Sequence, residues 1–335
     1  MSASPGTVSE VAAAGPGRTP WRRRLSEQPT IPLLFLLLCL VLLLFLIQPG
    51  ILNRPNAWIS STIRFATPLA LLAACQTLAM LTGGIDLSVA TIATMSAFVM
   101  ATQSAGQGDA VAVLLGIVVG ACMGLINGIG IGIFRVQPLI MTLGTGLVGA
   151  GLLTVYQKFV LTAGSSVPDP IAWLGGGTSL GFFPNCLLLF LPVAALIIFS
   201  LRRTGYGRML FAVGDNPIAA RLAGVRIWQV LLVVYVLSGV LAAIAGIMLA
   251  GVTKTAALGS AEGLLLPSVA AAVIGGTSIF GGRGGYTGSI VGALILTVLV
   301  NLLTVLNAPQ PIRQIIYGAI ILAVAAAYAR LTGER

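Results

Sequence analysis

Few residues in this 335-residue chain are of types that perform covalent chemistry, and their spacing narrows the field further. Histidine is absent, and the four cysteines, Cys39, Cys75, Cys122 and Cys186, lie in or beside apolar runs without a CxxC pair. Neither a metal site nor a disulfide framework is indicated. A phosphate-binding loop needs G-x-x-x-x-G-K-[ST], and Lys254-Thr255 lacks the glycine before the lysine. Gly128-Ile129-Gly130 opens a GxG-like run, but inside an apolar stretch rather than between a strand and a helix, so it does not read as a dinucleotide site. What remains is hydrogen-bonding chemistry. Gly83-Gly84 interrupts an apolar run and frees backbone groups, and Asp86 or Ser88 could cap the half-helix that follows or line a polar break. Gln76, Asn127 and Asn301 are amide side chains within apolar runs, able either to line such a break or to bridge helices.

The elements that must position these groups are membrane helices. Hydrophobic residues make up 57% of the chain and charged ones 8%, against about 25% charged in soluble domains, which excludes a water-soluble enzyme. The formal charge of +10 is not a nucleic-acid footprint on so apolar a chain, but the mark of basic loops retained on the cytoplasmic side. Windows of about 19 residues find ten apolar stretches. They run Ile31 to Ile47, Trp58 to Leu81, Asp86 to Ala101, Ala110 to Phe134, Pro138 to Tyr156, Cys186 to Leu201, Trp228 to Ala250, Leu264 to Phe280, Tyr286 to Leu306 and Ile312 to Tyr328. The fold class expected is all-α and polytopic, with a transmembrane domain over residues 31–330 behind a disordered cytoplasmic tail, residues 1–30, that is rich in Ala, Gly, Pro and Ser.

Ten crossings from a cytoplasmic N-terminus leave Arg135, Arg202, Arg203, Arg208, Arg221, Arg226, Arg283, Arg330 and Arg335 inside with the tail arginines, and only Arg54, Arg64, Lys158, Lys254 and Arg313 outside. That bias puts both termini in the cytoplasm. Glu10, Glu27, Asp109, Asp169, Asp215, Glu262 and Glu334 fall in tails or loops and Asp86 at a broken span end, so no span carries an obvious buried charge and an ion-coupled carrier is disfavoured. Gly116, Gly120, Gly124, Gly128 and Gly132 recur every four residues and line one helix face, where a neighbouring helix can approach closely. The segment Gln157 to Asn185 reads as a long outer loop. In the inner loop, about residues 202–226, Asp215-Asn216-Pro217 reads as the capped start of a short surface helix and Gly224 as its stop.

Three segments together resemble the permease subunits of ribose-type ATP-binding cassette (ABC) sugar importers: Leu81-Thr82-Gly83-Gly84-Ile85-Asp86-Leu87-Ser88-Val89, the loop from Tyr206-Gly207 through Ala212 to Val225, and Ala272 to Gly284 with its Val273-Ile274-Gly275-Gly276-Thr277-Ser278 core. The motifs occur in the family order across Leu33 to Tyr328. The resemblance implies a permease dimer, homo- or heteromeric, in the bacterial inner membrane, moving a neutral sugar or polyol. It implies two cytoplasmic ATP-binding subunits and an extracytoplasmic solute-binding protein as partners. This chain would bind no cofactor itself; the partner ATPase would use ATP and Mg. Gly214, Asp215, Asn216, Pro217, Ala220, Arg221 and Gly224 would form the ATPase coupling element. Leu265-Leu266-Pro267 stands where many members carry Glu-Leu-Asp, so substrate identity does not transfer from those members. Permeases for branched-chain amino acids or another small solute, and a passive polyol channel, remain the alternative readings.

Overall fold

Runs of Leu, Val, Ile and Ala punctuated by Gly and Pro fold as helices here because only a helix satisfies its own backbone in lipid. The computed structural model describes residues 30–160 and 166–332. The expected tail, residues 1–30, lies outside the described residues except for Thr30. Long helices follow one another: α1 Thr30–Ile47, α2 Pro55–Leu81, α3 Val89–Gln107, α4 Asp109–Gly132, α5 Pro138–Val160, α6 Asp169–Gly176, α7 Leu187–Arg203, α8 Gly205–Asp215, α9 Pro217–Leu222, α10 Ile227–Thr253, α11 Leu265–Ile274, α12 Tyr286–Val305 and α13 Gln310–Thr332. A two-residue β-hairpin, Thr178–Ser179 with Phe183–Pro184, is the sheet found among the described residues.

Each of the ten apolar windows holds a helix, but the helices are unequal. Among the described residues five are individually long and apolar enough to cross a membrane (α2, α4, α5, α10 and α12), and α7 with α8 makes a sixth if that pair, bent by 68°, is one span. The window Leu264 to Phe280 contains only the ten residues of α11, about 15 Å of rise against a hydrocarbon core of about 30 Å. It stops at Gly275-Gly276: Gly276 takes φ +87, and the amides of Gly276 and Thr277 donate to the Val273 and Ala272 carbonyls. Pro267 sits in its first turn, where a proline is tolerated, so Leu265-Leu266-Pro267 starts the helix rather than bending it. The window Asp86 to Ala101 also shifts, because α3 begins only at Val89.

Both long loops hold one more helix than expected. The outer segment after Val160 includes α6, opened by Pro168 and Pro170, whose Ile171 and Gly175 are buried, with Gly175 set against Met248 and Gly251 of α10. Arg64, expected outside, lies within α2 and donates to the Gly176 carbonyl at the end of α6. On the opposite end, residues 205–215 form α8, capped by Thr204, whose hydroxyl accepts from the Gly207 amide at 3.2 Å.

The core is a bundle with α10 at its centre, packed against α2, α3 and α4. The α4 glycines make a close seam with α10. A Cβ on Gly120 would come within 2.7 Å of the Ala243 Cβ, on Gly128 within 2.9 Å of the Leu232 Cα and on Gly132 within 2.8 Å of the Trp228 carbonyl oxygen, while on Gly124 it would overlap the Tyr235 carbonyl. The partner residues fall in descending order along α10, so the two helices run antiparallel with their backbones touching. Gly116 abuts α3 at the Ser96 carbonyl as well as Ile247.

Candidate functional site

Helix α2 ends inside the bundle because Gly83 adopts φ +77: its amide donates to Met80 and that of Gly84 to Ala79, which satisfies two terminal carbonyls. The chain then runs irregularly to Val89. Such backbone survives within a membrane protein only when other groups complete its hydrogen bonds, and here side chains from two helices do so. Gln76 of α2 donates to the Asp86 carbonyl at 2.7 Å and accepts from the Asp86 amide at 3.3 Å. Thr142 of α5 accepts from the Leu87 amide at 3.0 Å and donates to the Ile85 carbonyl at 3.2 Å.

The Asp86 side chain anchors a second layer. Its Oδ1 accepts from the Ser88 amide at 3.0 Å and the Ser88 hydroxyl at 2.6 Å, and its Oδ2 accepts from the Ser238 hydroxyl of α10 at 2.7 Å. The Ser88 hydroxyl in turn accepts from Asn127 Nδ2 of α4 at 2.9 Å, and the Asn127 carbonyl oxygen accepts from the Thr145 hydroxyl of α5 at 2.6 Å. Gln76, Asp86, Ser88, Asn127, Thr142 and Ser238 are all fully buried. Ser238 is the twelfth residue of α10, roughly 16 Å along that helix, so the network reaches deep into the bundle.

This arrangement corrects two expectations. Asp86 is a fully buried carboxyl held by three neutral donors, so the chain does carry an acid inside its apolar body. Nor does Ser88 cap α3 with its side chain; Asp86 instead takes the Ser88 amide and so shapes the turn that enters the helix. Of the five polar candidates, four meet in this network. Asn301 lies apart, in α12, donating to the Thr62 hydroxyl of α2 at 3.2 Å. Ser238, Thr142 and Thr145 went unrecognised as partners; the signal was a lone serine in a long apolar run and two hydroxyls three residues apart on one face. The Tyr235 hydroxyl is buried without a hydrogen-bond partner, and it occupies the space a Gly84 side chain would need: a Cβ there would come within 2.6 Å of it.

The residues of the surface loop build a separate unit at the end of the bundle where α2 stops. Helix α9 starts as its sequence suggests: Asn216 Oδ1 accepts from the Ile218 and Ala219 amides, each at 3.0 Å, and Pro217 fills the first turn. It stops at Gly224, φ +86, whose amide donates to Arg221 while that of Val225 donates to Ala220, each at 3.0 Å. Asp215 ends α8 and does not cap α9. Gly214 touches the end of α2 so closely that any Cβ would overlap the Leu81 carbonyl, which also accepts from the Gly282 amide at 3.1 Å. A Cβ on Gly282 would come within 2.8 Å of the Asp215 Cα, and one on Gly281 within 2.7 Å of the Gly214 carbonyl oxygen. Thus α8, the glycine loop after α11 and the break that carries Asp86 meet backbone to backbone.

An apolar helical bundle whose described residues include five or six segments long and apolar enough to cross a membrane is a multi-pass membrane protein. Residues 58–325 match the family described as the branched-chain amino acid transport system / permease component, and the chain belongs to that family. It is 35% identical over 90% of its length and 90% of theirs to the probable ABC transporter permease protein YphD of Escherichia coli. It is 32% identical to the ribose import permease protein RbsC of the same organism, over 86% of this chain and 90% of that one. The fructose import permease protein FruF of Bifidobacterium longum is 34% identical over 72% of each chain. No solved structure matches. A permease component of this kind moves solute and leaves ATP hydrolysis to a partner subunit.

Proposed function

We propose that this chain is the permease subunit of an ABC importer for a neutral sugar, monosaccharide or polyol, in the bacterial inner membrane with both termini cytoplasmic. The observation that carries the reading is α9: a helix capped at both ends, on the arginine-rich end of the bundle, with Ile218 73% and Leu222 86% exposed on one face. Two apolar side chains at i and i+4 on a surface helix suit a groove on an ATP-binding subunit. In this account Gly214, Asp215, Asn216, Pro217, Ala220, Arg221 and Gly224 form the coupling element, and the glycine junction carries its displacement to the end of α2 as rigid-body motion. Gln76, Asp86, Ser88 and Asn127 then part to exchange hydrogen bonds with a hydroxyl-rich solute. ATP with Mg belongs to the partner ATPase, a solute-binding protein delivers the sugar from outside, and a second permease subunit completes the path.

The relatives named for ribose and fructose support a sugar as solute, whereas the family description favours a branched-chain amino acid as the rival. The double variant Ile218→Asp with Leu222→Asp tests the coupling assignment. It should leave the permease inserted and lose ATPase capture in a pull-down together with solute-stimulated ATP hydrolysis; wild-type capture and stimulation would overturn the assignment. A panel of ribose, fructose and leucine in the same hydrolysis assay separates the rival, which requires stimulation by leucine alone.

A further inference from the structure

At the junction of α4, α9 and α10 lies an open cavity of about 440 Å³ that shares Arg221 and Gly224 with the coupling element and whose other lining residues the transport account leaves unused. Arg135, Arg221 and Arg226 line it together with Trp228, Ile131 and Leu231, and no acidic side chain does. Three arginines lining one cavity without a carboxylate suit an oxyanion, the group that guanidiniums recognise best. Arg135 holds φ +57, a left-handed conformation that a non-glycine residue adopts only against strain, so an arginine is kept where glycine would be easier.

The position of the cavity identifies the source of the anion. It opens where α4 ends at Gly132 and α10 begins at Ile227, at the level where membrane-spanning helices leave the hydrocarbon. The lining Trp228 is 45% exposed, and between the lining residues Gly132 and Arg135 the chain turns Ile133, 51% exposed, and Phe134, 74% exposed, outward. A free phosphate has no use for such a surface, whereas acyl chains do, and an indole at this depth is an interfacial anchor. We propose that the cavity binds the phosphodiester headgroup of an anionic phospholipid, with Arg135, Arg221 and Arg226 on the phosphate and Phe134 and Trp228 against the chains. A lipid so placed grips the Gly224-Val225-Arg226 link between α9 and α10, and therefore holds the coupling helix in register with the central helix.

The test uses the full chain reconstituted in bilayers of phosphatidylcholine with phosphatidylglycerol, extracted gently and weighed by native mass spectrometry. The variant is Arg135→Gly with Arg226→Gln; glycine accepts φ +57 without strain, so this end of α4 keeps its fold. Arg203→Gln with Arg208→Gln removes the same charge from the same end outside the cavity and serves as control. Each charge-assisted hydrogen bond from an arginine to the phosphate is worth about tenfold or more in affinity, so the cavity variant should retain phosphatidylglycerol about 100-fold less tightly, with the control close to wild type. Equal loss in both variants would overturn the site in favour of diffuse surface charge. Displacement of the lipid by millimolar inorganic phosphate would overturn the lipid assignment in favour of a soluble oxyanion, and unchanged retention in the cavity variant would overturn the proposal outright.

Discussion

A single methyl group on the α4 seam should measure how much of this fold depends on backbone contact. In Gly124→Ala the new Cβ overlaps the Tyr235 carbonyl oxygen and comes within 3.1 Å of the Val236 Cα, both main-chain atoms that have no rotamer to yield. Relief requires α4 and α10 to part by about 1 Å, and a gap of 0.5–1 Å forfeits roughly a quarter to a half of each dispersion well. With roughly 30 atom pairs along the seam at about 0.15 kcal/mol each, the loss is about 1.5 kcal/mol, within the 1–3 kcal/mol that overpacking typically costs. Gly124→Leu should fail to assemble. The internal control is Gly144→Ala on α5, where a Cβ meets nothing within 4 Å and only helix propensity changes, a gain of up to about 1 kcal/mol. Thermal denaturation of the detergent-solubilised protein reads the difference: the propensity gain is common to both variants, so Gly124→Ala should melt a few degrees below Gly144→Ala, since about 1 kcal/mol moves Tm by 2–4 °C in a chain of 150–250 residues, and Gly144→Ala no lower than wild type. Equal melting temperatures for the two alanine variants would refute the reasoning.

Asp86→Ala should lower stability by about 2–4 kcal/mol, because it strands the buried Ser88 amide and Ser238 hydroxyl, each at about 1–3 kcal/mol; denaturation of Asp86→Ala against Ser238→Ala measures it, and indistinguishable stabilities would count against a shared network. Gly224→Pro removes the amide that donates to Arg221 and forbids φ +86, so it should uncouple transport while the spans remain folded, read as ATP hydrolysis that no longer responds to solute. Asp215→Lys with Asn216→Lys removes the cap of α9 and opposes its dipole, a local loss of about 1–2 kcal/mol that should abolish ATPase capture without reducing the amount of inserted protein in membrane fractions.

The legible parts of this structure are those whose cause is local. The four-residue glycine period of α4, the Asn216-Pro217 start and the Gly224 stop each express a rule spanning one or two helical turns, and each appears where the residues place it. What escaped has a cause elsewhere in the chain. Asp86 reads as an acid at a broken span end until Ser238, 152 residues away in sequence, brings α10 against it. Helix α8 was obscured because Gly205, Gly207 and Gly214 look like breakers, yet Gly207 and Gly214 are there for close approach to Leu201 and Leu81. The length of α11 depended on whether Gly275-Gly276 would end a helix or be packed within one; both happened, since Gly275 also abuts Gly288 of α12. Asn301 resembled the other buried amides in its surroundings, but the helix that carries it faces Thr62 rather than the break.

The buried carboxyl of Asp86 makes the energy source the decisive question, since an acid at that depth is where an ion-coupled carrier would load its ion. Proteoliposomes holding this permease with its ATPase and solute-binding protein, with ATP trapped on the ATPase side, allow labelled ribose or fructose uptake to be followed with and without a protonophore and sodium. Uptake that requires trapped ATP and is indifferent to both treatments is the predicted result; uptake without ATP, or uptake that collapses when the proton or sodium gradient is removed, would contradict the account.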